Sequence, residues 1–403
     1  MTDGDASSLR RDQALRSLLR ASHLMSADML ASVAAEHAGA LGARELVLYL
    51  VDYEQITLQP LQGTGVPLRQ EMNVDSSVAG DAFRRVELLT TRAPDGGRRM
   101  WLPLLDGVER LGVVEVLVDE VTEDMDAAVR AFVSLLAELV VVNDAYSDTF
   151  SRLRRRKTMS LAAEIQWELL PPLTFGTDRV VITGMLEPAY EIGGDSFDYA
   201  VNASSAHVLV LDAVGHGLPA ALLSSAVVNT YRHARREMVD LPDIAAAMDE
   251  VIVQQFGPEQ FATALIARLD IDTGHLRWVN AGHPAPLILR SGGLVHPPPC
   301  RPNAPLGLQS YKPTTHEVQL ERGDGVLFYT DGIVEARSPG GDFFGEERLA
   351  QFVLAAAAEG SRGPETMRRL MRQILGHQSG QLQDDASIVF LEWATGDEQH
   401  MQL

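Results

Sequence analysis

The chain has 403 residues, 46% of them hydrophobic, enough for two or three domains that each bury a core. Its 55 acidic and 34 basic residues give a formal charge of -21, which argues against nonspecific binding to nucleic acid or anionic membranes and suits a protein that concentrates cations. The single cysteine, Cys300 in a proline-rich loop, excludes an intrachain disulfide or a cysteine-rich zinc site and is compatible with a reducing cytoplasm. The N-terminus MTDGDASS carries no signal-peptide pattern, and the apolar run Leu139 to Val142 is far too short to span a bilayer, so the expectation is a soluble cytoplasmic protein.

In chain order, residues 1–14 read as a disordered polar tail and Leu15 to Leu41 as one or two amphipathic helices. Glu45 to Asp52 and Ile56 to Gly63 form an expected hairpin, Ser76 to Arg85 a short helix, and Arg99 to Leu105 with Arg110 to Asp119 a second hairpin around Asp106-Gly107. This helix-then-sheet order, with LPLLDGVERLGVVEVLV near its end, resembles a GAF sensor domain over residues 15–122; a PAS-like domain is the alternative. Its ligand is not legible, because the region has no cysteine for a bilin, and His23 and His37 read as plain helix residues. A docking module without a ligand fits equally well.

Residues 123–170 read as a helical connector. Val129, Phe132, Leu136, Leu139, Asn143, Tyr146, Phe150 and Leu153 follow alternating three- and four-residue steps, the pattern of a coiled-coil seam, with Asn143 placed to fix the register of a parallel homodimer. The opening turns also suit a sensor helix packed on its own sheet. The seam stops at the basic run Arg154 to Lys157, after which Met159, Ala162, Gln166 and Leu169 begin a new face. That phase break is the expected switch point for signalling.

From Val180 the pattern is rich in strands, at Val180 to Leu186, His207 to Leu211, Phe261 to Asp270, Gly274 to Asn280, Leu287 to Arg290, Leu294 to His296, Glu317 to Leu320, Val326 to Tyr329 and Ser387 to Trp393. Helices are expected at Pro219 to Met238, Pro242 to Phe256, Glu346 to Glu359 and Pro364 to Leu375. Hairpin-linked strands with helix pairs predict antiparallel sheets covered by helices, an α+β architecture, over residues 171–395, with 396–403 as a tail.

Several apolar runs in this half end at an aspartate. VLVLDAVGHG places Asp212 where a buried run opens into a glycine-bounded turn, and EIGGDSFD, LFYTDG and DDASIVF place Asp195, Asp331 and Asp384 at comparable edges. If the strands are neighbours, each like-charge pair at ~4 Å repels by about 4 kcal/mol at an effective dielectric near 20. Divalent cations would reverse that sign, and an oxygen-only set without a cysteine or histidine cluster favours Mn²⁺ or Mg²⁺ over zinc.

The ordered motifs QWELLP, EIGGDSFD, LDAVGHG, NAGHPAPLIL, PLG, LFYTDGIVEAR, FGEERL and DDAS, between Gln166 and Ser387, resemble the stage II sporulation protein E family. These are bacterial metal-dependent serine/threonine phosphatases of the PPM type that act in partner-switching control of sigma factors. The resemblance implies an α-β-β-α sandwich in which Asp212 bridges two Mn²⁺ or Mg²⁺ ions, the Ala213 carbonyl supports one, Asp331 and Asp384 bind the other, and Asp195 completes the site directly or through water. It implies hydrolysis of a phosphoserine or phosphothreonine on a STAS-domain anti-sigma factor antagonist, without a phosphoenzyme.

Asp385 is an alternative to Asp384, Asp198 and His216 read as supporting residues, and His283 as the holder of a turn. Ser196 stands where the family commonly has an aromatic, and Val214 where a small polar residue is usual in the turn; neither change removes a ligand. A diguanylate cyclase reading of GGDSF lacks the glutamate it needs, and no G-x-S-x-G elbow supports a serine hydrolase. The remaining alternative is a catalytically silent scaffold, which has no need of such a carboxylate set.

Overall fold

The computed structural model describes residues 3–191, 193–297, 301–308, 313–380 and 382–396, with the side chains of residues 3–12 excepted. Cys300 lies outside the described residues. The chain divides into two compact units, one running to Lys157 and the other beginning at Thr158. Within the expected connector 123–170, the helices up to Arg154 belong to the first unit and the last helix belongs to the second.

The first unit contains α1 (Asp3–Ser22), α2 (Leu30–Ala38), β1 (Ala43–Val51), β2 (Thr57–Pro60), β3 (Met72–Asn73), α3 (Val78–Arg85), β4 (Leu89–Arg92), β5 (Arg98–Asp106), β6 (Glu109–Val118), α4 (Glu123–Asp144) and α5 (Asp148–Arg154). The six strands form one antiparallel sheet in the order β3-β2-β1-β6-β5-β4. The two-residue period of β1 sorts its side chains: Leu46, Leu48 and Leu50 join the core under α1, α2 and α4, while Val47, Tyr49 and Val51 face α3. The tail expected over residues 1–14 is helical from Asp3, and α1 buries Ala14 and Leu18.

The expected seam is divided in the same way. Val129, Phe132, Leu136 and Leu139 lie in the core of this unit, α4 stops at Asp144, and Phe150 of α5 returns to that core. Asn143 is buried and donates to the Leu139 carbonyl at 2.7 Å. Val129 to Leu139 and Phe150 therefore form an internal packing face, while Tyr146 of the same stripe is 75% exposed; burial on a sheet and burial in a dimer demand the same spacing. The basic run closes the unit: Arg154 donates from Nε to the Val51 carbonyl at 3.0 Å and stacks on Tyr53, while Arg156 pairs with Glu54 at 2.9 Å.

The second unit contains α6 (Leu161–Leu169), β7 (Thr174–Gly176), β8 (Val180–Glu187), β9 (Ser196–Val201), β10 (Ser205–Ala213), α7 (Leu218–Arg236), α8 (Leu241–Phe256), β11 (Ala262–Asp270), β12 (His275–Ala281), β13 (Leu287–Arg290), β14 (Gly293–Val295), β15 (Thr315–Gln319), β16 (Gly325–Tyr329), α9 (Asp331–Val334), α10 (Gly345–Ala358), α11 (Gly363–His377) and β17 (Ala386–Trp393). Two antiparallel sheets result, ordered β15-β12-β11-β10-β9 and β14-β13-β16-β17-β8-β7. Helices α7 and α8 bury Val227, Tyr231, Ile244 and Met248 against Leu209, Leu211 and Ile266 of the first sheet. Helices α10 and α11 bury Leu349, Val353, Leu370 and Ile374 against Leu327, Ile388 and Phe390 of the second.

The sheets stack face to face through side chains such as Phe197 of β9, for which Gly184 of β8 leaves room. A methyl group at Gly184 would fall 2.3 Å from the Phe197 ring. This is the expected α+β sandwich, with the ends of β10, β16 and β17 on one edge. Strands β7 and β9 and helix α9 are additions that the apolar pattern did not show.

Candidate metal centre

Strand β10 runs buried from Ala206 to Leu211 and delivers Asp212, partly buried, near its end. The chain then turns through Gly215 and Gly217, both at positive φ (91° and 69°), before α7 starts. Asp331 opens α9 immediately after β16, and Asp384 and Asp385 precede β17. Asp195 sits just before β9 at only 2% exposure. Strand pairing within each sheet and the stacking of the two sheets thus bring together aspartates that are far apart in sequence.

Their electrostatics show the crowding. Burial pushes the Asp212 carboxyl up to about 7, and the charges of Asp331, Asp384 and Asp385 add to the rise. Burial also holds Asp195 well above the usual carboxylate range, reinforced by Asp212 and Asp385 and opposed by hydrogen bonds from Thr330 and Ser387. Asp331 is raised by burial, then by Glu335 and Asp384. Among the described residues, no hydrogen-bond donor or basic side chain meets the Asp212 carboxylate.

Buried acids elsewhere are matched. Asp198 pairs with Arg232 and Arg235 at 2.7 Å each, Asp324 with Arg290 at 2.6 Å, and Glu115 with Arg69 and Arg99 at 3.0 and 2.9 Å. The carboxylates around Asp212 are the group left without a counter-charge, which is the condition a divalent cation relieves.

The adjacent aspartates divide their tasks. Asp385 turns inward and accepts from the Gly193 N–H at 2.5 Å and the Asp195 N–H at 3.4 Å, tying down the GGD turn. Burial raises its carboxyl to about 6 against those donors. Asp384 is exposed, with its carboxylate accepting from the Asp385 N–H at 2.9 Å, and so is the one of the pair turned outward. Gly194 packs on the main chain beside Asp212, where a methyl group would fall 2.1 Å from the Ala213 oxygen.

Thr330, Ser387 and Thr263 also shape the site, although no residue pattern marked them. The Thr330 hydroxyl donates to Asp195 at 2.7 Å and accepts from the Ser387 N–H at 2.9 Å. Thr263 is the β11 residue directly opposite Asp212, and its hydroxyl bonds to His283 Nδ1 at 2.8 Å. His283 is buried, which lowers its pKa to about 3, and it also closes the NAGH turn with Asn280 through two bonds of 2.9 and 2.7 Å. Asp198 is structural through its arginine pairs, and His216 is exposed in the turn.

Among the described residues, no three His, Cys, Asp or Glu side chains meet the spacing of a formed ion cage. The donor set nevertheless fits a hard divalent ion in kind, being made of carboxylates without a base.

Residues 202–394 match the family model described as Stage II sporulation protein E (SpoIIE). This segment is similar to that family. It contains Asp212, Ala213, Asp331 and Asp384, while Asp195 lies seven residues before it. Curated relatives of this chain include protein IcfG of Synechocystis sp., 23% identical over 58% of this chain and 41% of that protein. Another is phosphoserine phosphatase RsbU of Bacillus subtilis, 23% identical over 59% of this chain and 70% of that protein. The chain thus spans less than half of the first relative and about two thirds of the second. Among solved structures, the SiaA-PP2C domain of Pseudomonas aeruginosa aligns with 20% identity and a TM-score of 0.48, covering 58% of this chain and 94% of that one.

Proposed function

We propose that the chain is a metal-dependent protein serine/threonine phosphatase that acts on a phosphorylated STAS-domain anti-sigma factor antagonist in bacterial partner switching. The observation that carries this reading is the Asp212 carboxylate, surrounded by other carboxylates without a counter-charge, within a segment similar to the SpoIIE family. The naming of RsbU as a phosphoserine phosphatase supports it.

Asp212, the Ala213 carbonyl, Asp331 and Asp384 would hold two Mn²⁺ or Mg²⁺ ions, and Asp195 would complete the set. Bound there, such ions polarise a phosphoryl group and lower the pKa of water. The chain's own residues supply the frame. Thr330 orients Asp195 and completes its hydrogen bonding, Asp385 fixes the backbone of the GGD turn, and Gly194 lets that turn lie against Ala213.

In the same reading the N-terminal unit, GAF-like in its order of helices and sheet, regulates this activity through the linker of residues 123–170, and the chain acts in the cytoplasm as a parallel homodimer through that linker. No helix among the described residues is long and apolar enough to cross a membrane. The test is phosphate release from a phosphoserine STAS protein with and without Mn²⁺, comparing the native chain with Asp212→Asn. Metal-dependent release that falls at least about 100-fold in the variant upholds the reading. Release indifferent to metal and to the substitution refutes the site, and no release from any phosphoprotein favours the scaffold.

A further inference from the structure

We propose that Arg337, Arg348 and Phe343 form a docking patch beside the carboxylate site for the acidic chain that flanks a phosphoserine, an inference that rests on the phosphatase reading. The patch lies on the segment that leaves the site at Asp331. After α9 the chain folds back on itself: Arg337 and Phe343 face each other as an antiparallel bridge, and Phe344 N–H donates to the Ala336 carbonyl at 2.8 Å. The Arg337 guanidinium sits 4.7 Å from the Phe343 ring centre. Arg348, from the first turns of α10, donates through Nη1 to the Phe343 carbonyl at 3.3 Å. Two cations therefore converge on one aromatic residue.

Three features make this patch a binding surface. First, it is open: Arg337 and Arg348 are exposed, and Phe343 is 48% exposed. Second, neither arginine has an acidic partner among the described residues, whereas Arg232, Arg235 and Arg290 are all paired. In a chain of charge -21, with Asp342, Glu346 and Glu347 in the same segment, the positive charge here is confined to these two guanidinium groups, which no carboxylate among the described residues engages. Third, the patch is tied to the site, since Gln383, the residue before Asp384, donates through Nε2 to the Arg337 carbonyl at 3.3 Å.

Without bound cations the carboxylates of the site, with Glu335 near Asp331, repel an anionic substrate on approach, and cations held there cancel that charge without themselves favouring acidic flanking residues. A guanidinium seated over an aromatic ring can still meet carboxylates in pairs through its remaining N–H groups, at little further loss of side-chain freedom. An acidic segment that carries the phosphoserine is the partner this chemistry recognises.

The experiment uses the full chain with Mn²⁺ and three probes: a phosphoserine peptide flanked by glutamates, the same peptide flanked by alanines, and p-nitrophenyl phosphate. The expected result is a KM roughly fivefold lower for the acidic peptide, an advantage that shrinks with added salt. The double variant Arg337→Ala/Arg348→Ala should erase the preference while leaving kcat and p-nitrophenyl phosphate hydrolysis unchanged. Equal KM values in the native chain, or a preference that survives in the double variant, would overturn the patch. Hydrolysis of p-nitrophenyl phosphate by the native chain tests the phosphatase reading separately. If that hydrolysis is absent, fluorescence anisotropy of the labelled acidic peptide with metal-free protein still decides: binding lost in the double variant upholds the patch, and unchanged binding overturns it.

Discussion

The Thr330 hydroxyl donates to the Asp195 carboxylate at 2.7 Å, joining the end of β16 in one sheet to the entry of β9 in the other. Both residues are buried, at 0% and 2% exposure, so water does not replace this bond when it is lost. Thr330→Val, close in shape, should destabilise the chain by about 1–3 kcal/mol and weaken metal binding about tenfold. Denaturant melts and Mn²⁺ titration measure the two effects. Unchanged metal affinity would show that Asp195 needs no support from Thr330.

The raised carboxyls give the metal-free chain an unusual pH dependence. Asp212 moves from 3.8 to about 7, so the folded chain holds a proton that the unfolded chain has released across that interval. Stability from this group is greatest near pH 4, falls as pH rises through 7, and levels off above; Asp385, raised to about 6, has the same sign. Metal binding displaces these protons, so Mn²⁺ affinity should rise over the same window. Melting temperatures of the chelated protein between pH 5 and 8 check the direction, and a profile identical in Asp212→Asn would refute the assignment.

Asp212→Asn should therefore abolish phosphate release and yet stabilise the metal-free chain at pH 8 by roughly 1–2 kcal/mol, because it removes one charge from a repelling group. Calorimetry in chelator measures the gain. Added Mn²⁺ should raise the melting temperature of the native chain more than that of the variant.

Asp198→Ala separates structural from catalytic carboxylates. It strands Arg232 and Arg235 of α7, both largely buried, without their partner on β9, and should cost about 3–5 kcal/mol. Metal affinity of the fraction that remains folded should be unchanged. A selective loss of metal binding, with stability intact, would place Asp198 in the site instead.

Gly194→Ala tests how closely the turn must approach. Its added methyl would meet the Ala213 oxygen at 2.1 Å, so either the turn or that carbonyl must move. A shift near 1 Å in the site is expected to lower kcat about 100-fold with a small change in melting temperature. Near-native activity would show that the Ala213 carbonyl can be displaced freely.

Much of the sandwich was legible because its strands are long apolar runs with clear ends. Val208 to Asp212 is such a run, and it pairs over its whole length with β11. Strand β9 escaped because Phe197 and Tyr199 alternate with polar residues that are themselves buried, Ser196 and Asp198 among them. The stripe from Val129 to Leu139 was legible as helical but not in its destination, since a sheet and a second helix select the same spacing. Asp384 and Asp385 could not be ranked in sequence, because adjacent side chains part only once the backbone fixes their directions. Thr330 left no trace, as one hydroxyl among many.

The inward turn of Asp385 has a consequence for how the protein handles its ions. The carboxylate that grips the Gly193 and Asp195 main chain is distinct from the outward Asp384, so the scaffolding contact is made by protein atoms alone. A chain stripped by chelator then keeps its frame standing and behaves as an empty but assembled receptacle. Its activity would follow the free ion concentration around it reversibly, as a dial rather than a fuse.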